Sequence, residues 1–211
     1  MAKPTLQQTA YELLKQRIVN CRFEPGMFLN TVELQESFGI SRTPIREALA
    51  RLEQDGLVNF YPQKGYVVSG VGLTTVSAIY ETRSLIEPHI VREYGHRVDA
   101  ETLKGMAKRF DSAFSEETPD MEIHMGYDDE FHALFYAACP NSYLVRVLED
   151  IAAQAQRVRI LSRYAGVKLR GLAREHLEII DAMLARDFPL AAGKMEEHLA
   201  MARKNAFDAI R

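Results

Sequence analysis

Cysteine is scarce in this 211-residue chain: Cys21 and Cys139 are the only two, far apart and outside any CxxC spacing. That pattern argues against a disulfide framework or a thiolate metal clip, and reads both as partly buried thiols. No run approaches the roughly 18 consecutive apolar residues of a membrane span, and residues 1–10 lack the basic start and apolar stretch of a secretory signal. The expected location is the cytoplasm, at the nucleoid if DNA is the partner, with no membrane involvement. Internal repeats and low-complexity tracts are absent as well. Net charge is small, −3, which at first argues against a polyanion partner. The imbalance is regional, however: residues 1–70 hold eight Lys/Arg against seven Asp/Glu, and the acidic excess lies in the remainder. Any nucleic-acid surface must then be a local basic face, modest in one copy and steeply salt-dependent, which favours a dimer.

The apolar content is that of an ordinary globular protein, and the length suits two modest domains. Residues 29–57 are the most informative stretch. Asn30 followed by Glu33 has the capping-box spacing, with Val32, Leu34 and Phe38 as the apolar residues to bury and Gly39 as the stop. A second helix starts at Ser41 or Thr43, tolerates Pro44 in its first turn, and repeats Ile45, Leu49 and Leu52 on one face. Its other face carries Arg42, Thr43 and Arg46, and Gly56 ends it. This is a helix-turn-helix, in which the start of the second helix enters the major groove. Arginine there forks onto guanine or clamps phosphate. Two β-rich runs, 57–61 and 66–69, flank Pro62-Gln63-Lys64-Gly65 and make a hairpin wing. Residues 5–20 read as a preceding helix on Tyr11, Leu14 and Ile18, and the short run 27–29 as a strand that can pair with the wing.

SRTPIREALARLEQDGLV followed by PQKGYVV resembles the DNA-binding domain of the GntR superfamily of bacterial transcription regulators. The resemblance implies DNA contacts from Ser41, Arg42, Thr43 and Arg46 and from Lys64 and Gly65 of the wing. Thr31 and Val32 depart from it, standing where many relatives place acidic or arginine residues.

The DNA-binding domain is expected to span residues 1–70, with 69–73 as a linker that has little to hold it rigid, and a second domain to fill 71–211. Past residue 74 strand signals almost vanish. Helical periodicity predicts six helices, at 75–96, 100–117, 121–138, 142–164, 168–186 and 190–210, with Pro88 inside the first and Gly95, Pro119, Pro140, Gly166 and Pro189 as interruptions. Periodic apolar residues such as Phe110, Phe114, Phe131, Phe135, Leu148, Leu172, Ile179 and Met195 make this an antiparallel all-α bundle. The fold class is thus mainly α, a winged helix-turn-helix followed by six helices.

Asp128 and His132, four apart, share one helix face. His176 and His198 each follow a glutamate on later helices. Four such groups from three helices suit one metal ion inside a bundle. Each also has an ordinary reading, a hydrogen-bonded core histidine or a carboxylate at a helix start. His89, His96 and His124 lack comparable spacing and read as structural or surface residues.

DDEFH, REHLEIIDAMLARD and EEHLAMA are similar to the FCD ligand-binding domain of the FadR branch of the same superfamily, and the helix count is similar to its shorter, VanR-like subgroup. That resemblance implies Asp128, His132, His176 and His198 as ligands of a divalent transition metal, with zinc first and nickel, iron or manganese as alternatives. It also implies a small organic-acid effector at or near the metal. Arg83, with Glu87 four residues later, either grips the effector carboxylate or is a surface ion pair. The expected whole is a homodimeric regulator of bacterial metabolic genes on an inverted-repeat operator of double-stranded DNA. Two alternatives stand: a mononuclear metal-dependent hydrolase, and a regulator with a purely structural metal.

Overall fold

The computed structural model describes residues 4–115, 121–164 and 169–210. Pro119 and Gly166, and the expected helix ends at 117 and 168, lie outside the described residues, as do the side chains of Phe114, His124 and Leu172. The winged unit comprises α1 (Leu6–Val19), β1 (Phe28–Leu29), α2 (Thr31–Phe38), α3 (Arg42–Gln54), β2 (Val58–Tyr61) and β3 (Gly65–Val68). Tyr11, Leu14 and Ile18 of α1 close on Ile45, Ala48, Leu49 and Leu52 of α3 in a common core. Full burial of each such side chain contributes about 1.5–3 kcal/mol. The three strands form an antiparallel sheet in the order β1-β3-β2, with Leu29 opposite Tyr66 and Phe60 also opposite Tyr66.

Local chemistry accounts for the ends. Asn30 accepts from the Val32 amide at 2.9 Å and donates to Glu33 Oε1 at 2.9 Å, and Gly39 takes the left-handed conformation at φ 64°. At the end of α3, Gly56 (φ 69°) and Leu57 close a Schellman motif: Gly56 N–H donates to Glu53 O and Leu57 N–H to Leu52 O, both at 2.9 Å. Val32 departs from expectation. It is 46% exposed, and Leu34 alone of the three named apolar residues is buried, because a two-turn helix turns only a narrow face inward.

Among the described residues, six α-helices form the second unit: α4 (Leu73–Tyr94), α5 (Ala100–Ser115), α6 (Met121–Ala138), α7 (Ser142–Tyr164), α8 (Leu169–Leu184) and α9 (Phe188–Ile210). Their separate core contains Ile79, Ile90, Phe110, Phe131, Phe135, Leu148, Val158, Ile179 and Met195. Pro88 is accommodated inside α4. Pro189 lies inside the first turn of α9 and interrupts nothing, since Asp187 Oδ1 caps the Leu190 amide at 3.0 Å and a proline there gives up no helical bond. Both cysteines are free; Cys139 is buried and Cys21 half-buried. No helix among the described residues is long and apolar enough to cross a membrane.

The link between the units is pinned, not loose. Ser69 is buried, its N–H donates to Leu57 O at 3.0 Å, and its carbonyl accepts from Arg157 of α7.

Candidate metal centre and nucleic-acid interface

Three elements deliver the buried cluster. Asp128 and His132 stand one turn apart on α6, His176 comes from α8 and His198 from α9, and all four are buried. One ligand-type atom from each lies within 4.8 Å of the other three. Ligands on opposite sides of a single ion bonded at about 2.1 Å stand about 4 Å apart, so a small inward shift is enough to close on one. Phe110 stacks on the His176 ring at 4.7 Å and 7°, fixing its plane, and Phe131 meets the same ring edge-on at 4.8 Å.

Three of the four groups are oriented from outside by polar neighbours to which sequence reasoning gave no such role. Glu87 Oε2 lies 2.7 Å from His132 Nδ1, and Glu175 Oε2 lies 2.9 Å from His198 Nδ1. Both imidazoles therefore turn Nε2 toward the cluster, and His132 Nε2 is buried without a hydrogen-bond partner. Arg159 reaches Asp128 Oδ2 at 3.3 Å and pairs with Asp129. His176 Nε2 is 3.3 Å from Asp128 Oδ1. Carboxylates behind imidazoles are the arrangement that fixes tautomer and basicity in metal sites. Glu175 had a sequence signal, since it precedes His176 directly; Arg159 had none.

Electrostatics keep the set in ligand form. Burial pushes the His132 pKa down, and burial together with nearby His198 pushes His176 down to about 3, so both stay neutral. Burial opposes the charge of Asp128, but the His176 hydrogen bond and the Arg159 guanidinium outweigh it and hold the carboxyl well below its usual range. Neutral imidazoles and an ionised carboxylate are what a divalent ion requires. The residues present fit such an ion.

Arg83 is not on the surface. Its Nε donates to Glu87 Oε1 at 2.6 Å, both side chains are buried, and Tyr136 Oη donates to the same carboxylate oxygen at 2.9 Å. The surface-pair reading is therefore corrected: Glu87 joins Arg83 to His132. A cavity of about 190 Å³ beside the cluster is lined by Arg83, Asp129, Tyr136, Gln156 and Arg159, with Leu148, Ile151 and Ala155 as its apolar part. Its lining carries two guanidinium groups, those of Arg83 and Arg159.

On the winged unit, Ser41, Arg42, Thr43 and Arg46 are all exposed at the start of α3, and Lys64 is exposed at the wing tip. Lys64 N–H donates to Tyr61 O at 3.0 Å, closing the turn, and Gly65 follows at φ 87°, a conformation that L side chains rarely adopt. The C-terminal end of α3 is anchored instead: Tyr11 Oη donates to Asp55 Oδ2 at 2.6 Å, and Arg51 lies over the Tyr11 ring.

Comparison with known proteins decides the family. Residues 6–68 match the gntR family of bacterial regulatory proteins and residues 78–201 match the FCD domain. The chain belongs to the GntR family of regulators with an FCD domain. It is 32% identical over 174 residues to the uncharacterised HTH-type transcriptional regulator YdhC of Bacillus subtilis, covering 81% of this chain and 77% of that protein. To the HTH-type transcriptional repressor RspR of Escherichia coli it is 27% identical, covering 92% of this chain and 86% of RspR. Among solved structures, E. coli McbR/YncC shares the fold at a TM-score of 0.81 and 20% identity over 99% of this chain and 100% of that one. The Zn2+-bound FCD domain of TM0439 aligns at a TM-score of 0.57 and 22% identity, covering 66% of this chain and 96% of that one. This GntR/FCD chain is a DNA-binding transcriptional regulator, not an enzyme, and the hydrolase alternative falls; its FCD domain carries a buried cluster with the donor set to hold a metal ion.

Proposed function

We propose that the chain is a homodimeric cytoplasmic regulator of metabolic genes that holds one zinc ion on Asp128, His132, His176 and His198 and responds to a small carboxylate. One observation carries this reading: four buried metal-type groups, three of them backed by a further polar residue, surround a point where His132 Nε2 is left without a hydrogen-bond partner. Three imidazoles and a carboxylate also suit nickel, iron or manganese, and zinc is preferred as the ion bound by the FCD domain of TM0439. When bound, the ion supplies open coordination positions for a carboxylate oxygen. The chain's own residues do the rest: Glu87 and Glu175 hold His132 and His198, and Arg83, Tyr136 and Arg159 give the 190 Å³ cavity its donors for an organic acid. The six-helix second unit supports the shorter, VanR-like subgroup.

For DNA, we assign base reading to Arg42 and Arg46, helped by Ser41 and Thr43, and phosphate contact to the wing at Lys64 and Gly65. Their support is exposure at the groove-entering end of a helix whose opposite face is fully buried. A single winged unit contacts few phosphates, so a two-fold dimer on an inverted repeat supplies the second half-site. The units divide near residue 70, where the two cores part.

The test is elemental analysis of native protein and of His176→Ala, followed by thermal-shift screening with small carboxylic acids. One metal per chain in wild type, lost in the variant, with an acid that raises the melting temperature and changes DNA affinity, supports the whole reading. A metal unaffected by His176→Ala defeats the ligand set. A metal that no acid acts upon makes the ion structural.

A further inference from the structure

Helix α7 touches both units with different faces. Toward the winged unit, Gln154 Nε2 donates to Gly56 O at 2.9 Å, the carbonyl just past the end of the recognition helix. Gln156 Nε2 donates to Asn20 Oδ1 at 3.2 Å, at the end of α1, and Ala153 packs on the winged core. Next to Gln156, Arg157 is fully buried; its Nη2 donates to Ser69 O in the link and its Nη1 to Gln154 Oε1 at 2.8 Å. These two acceptors are neutral oxygens, and burial pushes the guanidinium pKa down against the opposing effect of Cys21. Cys21 of the winged unit also lies within its reach, while its Nε is buried without a hydrogen-bond partner, so the bonds it makes add little net stability against the cost of desolvation. It does fix one relative placement of two units.

Toward the bundle, α7 presents Ala155 and Arg159, with Gln156 at the border of the two faces. Arg159 lies two positions beyond Arg157, roughly 200° around the helix, and holds Asp128 and Asp129. Ala155, Gln156 and Arg159 also line the cavity beside the cluster. Arg157 and Arg159 thus fasten one rigid element to the link of the DNA-binding unit and to a metal-type carboxylate.

We propose that α7 couples the buried cluster to the winged unit, with Arg157 as the latch: occupancy of the cluster sets the hold of Arg159 on Asp128, and the same helix carries Arg157 onto or off the Ser69 carbonyl. This rests on the metal reading above. A ligand moves such an equilibrium only by its differential affinity for the two placements, and the coupling is reciprocal. Because Gln154 grips Gly56, a shift of α7 reaches the end of the recognition helix directly.

The test is amide hydrogen exchange of the full chain at residues 54–57 and 69–72, with and without Zn2+, alongside calorimetric Zn2+ titration. Wild type should change exchange at both segments at least threefold on adding Zn2+. Arg157→Met, which keeps the apolar stem and removes the donors, should exchange at least tenfold faster at 69–72 and lose the Zn2+ response while still binding one equivalent. Gln154 is partly exposed, so Gln154→Ala serves if Arg157→Met fails to fold, and it should lose the response at 54–57. A folded variant that keeps the wild-type Zn2+ response overturns the latch. Zn2+ that binds wild type without changing exchange overturns the coupling alone, whereas a flat titration of wild type defeats the metal reading and the coupling with it.

Discussion

The start of α3 and the cluster between α6, α8 and α9 place functional side chains in opposite ways. Arg42, Thr43 and Arg46 stand in solvent on a helix whose other face is buried, so their groups are spare by construction. Asp128, His132, His176 and His198 are buried, and Glu87, Glu175 and Arg159 hold three of them from outside. An external polymer is met by exposed donors that cost nothing to leave open. An internal ion is met by groups whose desolvation must be offset by partners. The two regions should therefore fail differently when altered.

The largest effect is expected at His176. His176→Ala removes a proposed ligand and should lower zinc affinity by more than about 100-fold, beyond what loss of an outer partner does; a chelator-competition assay reads this. Next comes Glu175→Gln, which keeps shape and alters only the support of His198, with an expected loss of about 10–100-fold in zinc affinity and none in stoichiometry. On the exposed side, Arg42→Ala or Arg46→Ala should cost about 1–3 kcal/mol per half-site and relax preference at one base pair. Fluorescence anisotropy across a panel of operator variants measures both, and wild-type binding by both variants removes the assignment.

Smaller still is Tyr11→Phe, expected to cost about 1 kcal/mol through the lost bond to Asp55. Burial and then the Asp55 carboxylate push the Tyr11 pKa up from 10.0 to about 12. A folded pKa above the unfolded one means that this stabilisation is complete below about pH 10 and is lost as pH rises through 12. Denaturant midpoints at pH 8 and pH 11 should therefore converge for wild type and variant at the higher pH. Smallest is Lys64→Ala, which should weaken all DNA sequences alike and reduce the salt slope by about 1.

The two regions also differ in how far the sequence discloses them. Caps and stops at Asn30, Gly39 and Gly56 are local chemistry, so α2, α3 and the wing are legible within a residue or two. The family-like spacing of Asp128, His132, His176 and His198 nominates a set that the fold brings together. What supports that set is tertiary. Glu87 reaches His132 from α4, Arg159 reaches Asp128 from α7, and neither distance follows from spacing along one helix. Arg157 likewise reaches the Ser69 carbonyl from α7, a contact that the sequence around residues 69–73 does not disclose, which is why the link reads as loose. Val32 fails for the reverse reason: an apolar residue on a short helix has no partner to cover it.

The central claim is that the buried four-residue cluster is the metal centre through which this regulator is controlled. X-ray absorption at the zinc edge of full-length protein loaded with one equivalent tests it most directly. Scattering from three imidazoles and at least one carboxylate oxygen, with an imidazole lost in His176→Ala, is the predicted result. A sulfur shell, one imidazole or none, or a spectrum unchanged by His176→Ala contradicts it.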